Sequence, residues 1–348
     1  MNFLTKTLFL LPFVFLFSNC NSFAQKKENY ATQIDSLIQN TSPVFNGVIL
    51  ISKNEKTLYS KAKGFANFET KKPLTLDSQF EIMSITRQIT ATLVLKEVEQ
   101  GKIDLNTPIK KYLPNLKQTW GDTITVHQLL NHSHGIIDLQ KPLLFKPGTD
   151  FKYGNEGYPI LGQILESVSK KTYSELANNL FKKLKMNNTF CYSENNNRNL
   201  VTGYMNNNNN LEKAQNNLIT LYKVPSGGLI STVNDLLIWN NNLHKGKILK
   251  PESYKLMTSY TIQNQHNFFG KQKEGYGYGL RIIEKEPVKY LGHTGLGNGF
   301  SAVNLYFPES GISMIVLENQ MPEDSNLFYA SEFKIKNILF KSGLFNKN

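Results

Sequence analysis

The strand-forming segments of this chain lie at its two ends, and helical patterns fill the space between them. Near the start, "NGVILISKNEKTLYSKAKG" holds an apolar run, Gly47 to Ser52, a polar turn at Lys53-Asn54-Glu55-Lys56 and a second strand. This is the pattern of a β-hairpin. From Gly275 onward strand patterns return in "GYGYGLRII", "VKYLGHTG", "GFSAVNLYFPES" and "ISMIVLEN", and "DSNLFYASEFKIKNILFKSG" closes the chain with helical spacing. The middle contains "TVHQLLNHS", "YPILGQILESVSKKTYSELANNLFKKL" and "STVNDLLIWNNNLHKG", each with apolar residues at helical intervals. Ser231 or Thr232 can cap the last of these, and Gly246 can end it. The economical architecture is α/β of the α+β kind. An antiparallel sheet is built from both termini and flanked by helices, with a helical region inserted. The sheet part takes about residues 44–80 and 270–348, and the helical part about 84–260. No repeat or linker divides the chain of 348 residues, so residues 25–348 read as one domain, long enough for a large core.

The first 24 residues read as a signal peptide. Lys6 gives a positive start, and Leu8 to Phe17 is an apolar run broken by Pro12. The run is too short to span a bilayer. Ser22 and Ala24 form a small-x-small cleavage pattern that places the cut before Gln25. Cys20 offers the alternative of a lipid anchor. Both readings export the chain to the periplasm or beyond, and no later segment reads as an integral membrane span. Gln25 to Ser42 is a polar, amphipathic lead-in with Tyr30, Ile34, Leu37 and Ile38 at helical spacing. With Cys20 removed or lipidated, Cys191 stands alone and no internal disulfide forms. The formal charge of +12 comes from scattered lysines, without the basic runs or aromatic interleaving of a nucleic-acid binder. It reads as a basic surface, so no nucleic-acid partner is expected. The asparagine-rich stretch from Asn187 to Asn217 reads as a surface excursion.

Three short groupings carry chemistry. In "FEIMSITRQITATLVLKEVEQGKI", Ser84 opens a helix with Ile85, Ile89 and Leu93 on one face and Gly101 past its end. Arg87, one turn on, shares the face of Ser84. A serine here is also an ordinary helix cap. "FKYGNEGYPILGQIL" holds Tyr153-Gly154-Asn155 ahead of a helix, and in an extended loop Tyr153 and Asn155 point the same way. "YLGHTGLGNGFSA" holds His293-Thr294-Gly295 on a strand before a glycine-rich turn. Two other patterns are set aside. His132-Ser133-His134 has metal-ligand spacing but no evident third ligand, so no metal is expected. The glycines of residues 295–299 follow a strand but precede no helix, which excludes a dinucleotide loop.

In order, spacing and flanking text, these groupings resemble the serine β-lactamase and penicillin-binding-protein-like hydrolases, above all the class C-related branch. Members of that family read Ser-x-x-Lys, Tyr-x-Asn and Lys/His-Thr-Gly. "GFANFETKKPLTLDSQFEIMSIT", "ITVHQLLNHSHGI", "PSGGLISTVNDLLIW" and "YGYGLRI" resemble its phrases too, so the likeness covers roughly residues 44–342. The resemblance implies a β-lactamase/transpeptidase-like fold and an acyl-enzyme chemistry without cofactor. Ser84 would be the acylated nucleophile and Tyr153 its base. Asn155 would hold the substrate's amide or ester side chain. His293, Thr294 and Gly295 would line the opposite wall, and the N–H groups of Ser84 and Leu296 would form the oxyanion hole.

Position 87 departs from the pattern, since this chain has Ser-x-x-Arg where the family has Ser-x-x-Lys. Lysine can give up its proton when desolvated, whereas arginine stays charged. The amine route is therefore closed and the tyrosine route survives. A tyrosine acts as a base near neutrality only where its surroundings favour the phenolate by about 4 kcal/mol, part of which a fixed guanidinium supplies. The wide guanidinium could also displace the serine or fork onto Asn155 and a carbonyl. Two expectations follow. One is an exported serine hydrolase taking a small-molecule or peptidoglycan-derived substrate: a D-amino-acid peptide, β-lactam, ester or amide. The other is a weakened or inactive relative that binds a cell-wall fragment or protein partner.

Overall fold

The computed structural model describes residues 21–193, 199–215, 219–263, 274–284 and 286–345, with side chains of the first helix from Tyr30 onward. Residues 1–20, which hold most of the expected leader together with Cys20, lie outside them, as do parts of the asparagine-rich stretch.

A seven-stranded antiparallel sheet forms the spine. Its strands are β1 (Gly47–Lys53), β2 (Lys56–Lys63), β3 (Gly275–Tyr276), β4 (Arg281–Ile283), β5 (Tyr290–Gly297), β6 (Phe300–Phe307) and β7 (Ile312–Glu318), in the order β3-β4-β5-β6-β7-β1-β2. The N-terminal hairpin joins the C-terminal meander where β1 pairs with β7, Gly47 opposite Glu318. The expected architecture is therefore the observed one. The hairpin turn uses left-handed Asn54 and Glu55.

Both faces of the sheet are buried, which explains the near-continuous apolar runs of β1 and β7. Alternate residues serve different cores. Ile49, Ile51, Val303, Leu305, Met314 and Val316 face the terminal helices α1 (Asn21–Asn40) and α7 (Ala330–Lys341), through Tyr30, Ile34, Ile38, Ile335 and Leu339. Val48, Leu50, Ala302, Ile315 and Leu317 face the helical region instead. That region contains α2 (Thr86–Glu99), α3 (Val126–Leu130), α4 (Gly157–Ser169), α5 (Tyr173–Leu184) and α6 (Val233–Leu243). Thr172 and Thr232 cap α5 and α6, each accepting a hydrogen bond from the backbone N–H three residues on.

Three local readings are revised. Helix α2 is buried on all sides from Thr86 to Leu95, because it packs among α4, α5 and the short helices at residues 224–227 and 251–257. "GYGYGLRII" is not one strand but the short hairpin β3–β4, with Tyr276 opposite Arg281 and a left-handed Gly279 in its turn. The asparagine-rich stretch includes a hairpin of Tyr204–Asn207 with Asn210–Lys213, and buried Asn206 donates from Nδ2 to Gln320 Oε1 at 2.8 Å.

Candidate active site

Ser84 lies in the 3-10 turn Met83–Ile85 that leads into α2, and no side-chain cap is made at either helix start. Its hydroxyl is therefore not spent on capping, and the side chain is half-buried. The preceding Met83 has φ +46°, a left-handed backbone for a bulky residue. Such a conformation costs about 1–3 kcal/mol and persists only where packing enforces it. Here the enforcing neighbour is β5. A Cβ added to Gly295 would fall on the Ile82 carbonyl oxygen and within 2.9 Å of Met83 Cβ. Only glycine lets the strand pass this close, and the approach sets Leu296, partly exposed, beside the Ser84 turn. Across the same junction, Asn298 Nδ2 donates to Glu81 Oε2 at 3.3 Å.

Arg87 is wholly buried one turn below Ser84. Its Nη1 donates to the Ser226 carbonyl at 2.8 Å, and its Nη2 to the Gly154 carbonyl at 3.3 Å and to Asn155 Oδ1 at 2.7 Å. The guanidinium thus forks onto Asn155 and carbonyls, and binds the Ser84 helix to the Tyr-Gly-Asn loop. Its carbon stands 4.7 Å from the centre of the Tyr153 ring and 5.3 Å from that of Tyr158. Ion and ring faces attract at such distances. Asn155 is exposed and Tyr153 half-buried.

Opposite lies His293, fully buried on β5. Its Nδ1 is 2.6 Å from the Thr294 carbonyl, which can only accept, so Nδ1 carries the proton. Its Nε2 then accepts from the Tyr276 hydroxyl at 3.0 Å. Burial, with Arg281 and Arg87 nearby, holds this imidazole well below the ordinary histidine range, so it is neutral near pH 7. Both nitrogens are committed inside the protein. The Thr294 hydroxyl hydrogen-bonds buried Tyr329, whose phenol burial pushes up. Arg87 thus ties the helix that follows Ser84 to Gly154 and Asn155 and faces the Tyr153 ring, Gly295 packs against Met83 beside Ser84, and the His293 ring centre lies 6.0 Å from that of Tyr153.

Several members of this cluster carry no motif. His132 is fully buried with φ +61°, its ring 4.6 Å from that of Tyr153 and 4.8 Å from that of Tyr276. Burial first, then Arg87, His134, His293 and Arg281, keep it neutral. His134 accepts the Ile136 N–H at Nδ1, and burial lowers it to about 4. The two histidines are thus packing residues here, and among the described residues no group of three or more possible metal ligands assembles. Arg281 was hidden in a strand pattern. Its one signal was a charge within the apolar run "GLRII". Cys191 is buried, and burial raises its thiol to about 12, which makes it unreactive.

The sequence pattern of the beta-lactamase family matches residues 34–334, nearly the whole chain. This chain belongs to the beta-lactamase family. Among its relatives is protein flp of Staphylococcus aureus, 26% identical over 321 residues, covering 82% of this chain and 62% of that protein. The chain thus spans about three-fifths of the length of that relative. The teichoic acid D-alanine hydrolase of Staphylococcus aureus is 28% identical over 329 residues, covering 88% of this chain and 76% of the relative. An octameric penicillin-binding protein homologue from Pyrococcus abyssi superposes with a TM-score of 0.73 at 28% identity, over 90% of this chain and 77% of its own. The D-amino acid amidase of Ochrobactrum anthropi SV3 shares the fold, with a TM-score of 0.78 at 21% identity over 91% of this chain and 99% of its own. The beta-lactamase family assignment carries with it the mixed sheet-and-helix fold.

Proposed function

We propose that this chain is an exported serine hydrolase that forms an acyl-enzyme on Ser84 and takes a D-alanyl or similar D-amino-acid ester or amide. The observation that carries the proposal is the junction of Ser84 with β5. The strained turn before Ser84 packs against Gly295 of that strand, and Arg87, one helical turn on, faces the Tyr153 ring at 4.7 Å. The teichoic acid D-alanine hydrolase among its relatives supports the acyl group.

The chemistry assigns a role to each group. Ser84 Oγ attacks the acyl carbonyl, and its proton passes to Tyr153 Oη as the Oγ–C bond forms. The negative charge that gathers on the carbonyl oxygen is held by the N–H groups of Ser84 and Leu296. Tyr153 then gives the proton to the leaving oxygen or nitrogen as that bond breaks. Water completes hydrolysis by the same relay. Arg87 takes no proton at any step. It holds Asn155 by its Oδ1, which leaves the Nδ2–H of that amide to bind an acceptor on the substrate. It also places a permanent positive charge against Tyr153.

A binding protein without turnover is the second reading, and Arg87 favours it. Three hydrogen bonds fix the guanidinium in a structural tie. One experiment separates the two. The purified chain is incubated with a fluorophosphonate or a fluorescent penicillin across a range of pH. Labelling that disappears in Ser84→Ala supports the hydrolase. Absence of labelling at every pH leaves the binding reading.

A further inference from the structure

The asparagine-rich stretch belongs to none of the three motifs, and the mechanism above does not use it. Its Gly203–Tyr204 segment lies against the turn that joins β5 to β6. A Cβ added to Gly203 would fall 2.3 Å from the Asn298 carbonyl oxygen, and one added to Gly299 would fall 2.4 Å from Tyr204 N. Two glycines thus let two backbones touch. Gly299 is left-handed at φ +78°, whereas Gly203 is not left-handed, so its missing side chain is a matter of room alone. Tyr204 N donates to the Gly299 carbonyl at 3.2 Å and to that of Asn319 at 3.0 Å, and Ala214 N donates to the Gly203 carbonyl at 2.9 Å. The Tyr204 hydroxyl anchors the segment, donating to Glu69 Oε2 at 2.6 Å and accepting the Phe68 N–H at 2.9 Å.

The turn needs no such support to close. Gly297 pairs with Phe300 across a two-residue Asn-Gly loop, and both loop residues are left-handed, Asn298 at φ +56° and Gly299 at φ +78°. That is the self-sufficient hairpin turn of type I′. What the outside contacts fix is therefore where the turn sits. A second hold comes from the Ser84 side, where Asn298 Nδ2 donates to Glu81 Oε2 at 3.3 Å, three residues before the nucleophile. Asn298 is thus held by its side chain on one flank and abutted at its carbonyl on the other. Leu296 stands just before this turn. Hydrogen-bonded and non-hydrogen-bonded pairs alternate along an antiparallel ladder. Gly297–Phe300 closes a two-residue loop and is a hydrogen-bonded pair, so Leu296–Ser301 is not, and the Leu296 N–H points away from β6.

We propose that Gly203 and Asn298 are positioning residues that set the Leu296 N–H where it meets the acyl oxygen, which makes the asparagine-rich segment a working part of the acylation site. The inference deepens the hydrolase reading and rests on Leu296 serving as an oxyanion donor. Such a donor acts only from a fixed place, and losing one costs about 100-fold or more in rate. The loss falls on the chemical step and not on ground-state binding. A segment packed there only to cover the end of the sheet would change stability and leave that division untouched.

The test uses the whole chain carrying Gly203→Ala, Asn298→Gly or Gly246→Ala, with two readouts. One is fluorophosphonate labelling of Ser84, resolved into the affinity for the reagent and the limiting rate constant. The other is the amide resonance of Leu296 in chain grown on isotope-labelled leucine, identified by its loss in Leu296→Ile. Gly203→Ala forces a methyl onto the Asn298 carbonyl, and Asn298→Gly releases Glu81 while keeping a left-handed turn free of strain. Both are expected to lower the limiting rate constant by about 10- to 100-fold at unchanged affinity, and to shift the Leu296 resonance. Gly246 supplies the control, since at φ +69° an added Cβ meets nothing within 4 Å. Gly246→Ala therefore brings backbone strain alone and should leave both readouts at the parent's. An unmoved rate constant and resonance in folded Gly203→Ala or Asn298→Gly overturns the proposal, as does equal slowing in Gly246→Ala. If Gly203→Ala does not fold, Asn298→Gly decides alone on the same terms. Resonance shifts in a chain that never labels would uphold the hold on Leu296 and remove the acyl-enzyme reading. Labelling that all three variants match would keep that reading and refute the hold.

Discussion

Position 87 shows how a single side chain is absorbed into a site. Lysine would offer one compact charge with three donors, whereas arginine presents a planar fork. Here the fork meets Ser226, Gly154 and Asn155 from a position without solvent exposure. The site is thus built around a guanidinium and does not merely tolerate one. Arg87→Lys is accordingly expected to destabilise the chain by about 2 kcal/mol and to slow Ser84 labelling by about 100-fold. Thermal melts and labelling rates of the variant check both. A rise in labelling would mean that the arginine is a damaged lysine. At this scale the motif residues were legible because their chemistry depends on spacing along the chain: Ser84 to Arg87 is one helical turn, and Tyr153 to Asn155 is one strand repeat. Arg281, Tyr276 and His132 were not. They come together through sheet pairing and ring packing, which join residues far apart in sequence.

Among the elements, β5 and the turn before α2 set the surroundings of Ser84. Gly295 lets the strand pass over Ile82 and Met83, and the atoms in the way are largely backbone, so they cannot swing aside. Gly295→Ala should therefore push β5 away from Ser84 and reduce labelling by about 100-fold, since displacements near 1 Å at a reacting centre cost that much. The change is read as a fall in labelling rate with the far-ultraviolet spectrum retained. Normal labelling would show that the strand edge plays no part. The strands β1, β5, β6 and β7 and the helices α4 to α7 were legible from their periodicity. The β3–β4 hairpin was not, because its turn at residues 277–280 is as rich in glycine and large apolar residues as the strands beside it. Gly279 explains that composition: at φ +67° it lies so near the Arg87 carbonyl that a Cβ would collide with it. The burial of α2 on every side was hidden too, because Thr86, Arg87, Gln88, Thr90 and Thr92 read as a polar face. Several of their polar groups are satisfied internally, as where Trp239 Nε1 donates to Gln88 Oε1 and the Thr92 hydroxyl to the Gln88 carbonyl, while Arg87 Nε and Gln88 Nε2 are buried without a partner.

The whole molecule carries a titration written into its interior. Burial lowers His134 to about 4 and His244 to about 3. In the unfolded chain both protonate near pH 6.5, in the folded chain only far below it. Their contribution is therefore complete above about pH 6.5 and lost as acid drives protons onto the unfolded form, at about 1.4 kcal/mol per pH unit for each histidine. Buried Glu318 and Glu332 run the other way. Burial raises both, so their contribution is complete at low pH and declines as pH climbs past the ordinary carboxylate range. His244→Phe keeps a ring for Tyr306, which stacks at 4.3 Å, and should flatten the fall in stability between pH 6.5 and 4.5 by that single-histidine slope. Denaturant titrations at several pH values measure it, and an unchanged slope would show that His244 titrates alike in both states. The sheet has one more consequence, for the order of events during synthesis. Its central pairing joins Gly47–Lys53 to Ile312–Glu318, so the first strand made must wait for nearly the last. Until then the serine turn has no strand edge against it. A ribosome-bound fragment ending before β5 can form helices but not the junction of the Ser84 turn with its strand, and contacts this distant along the chain make the final assembly slow.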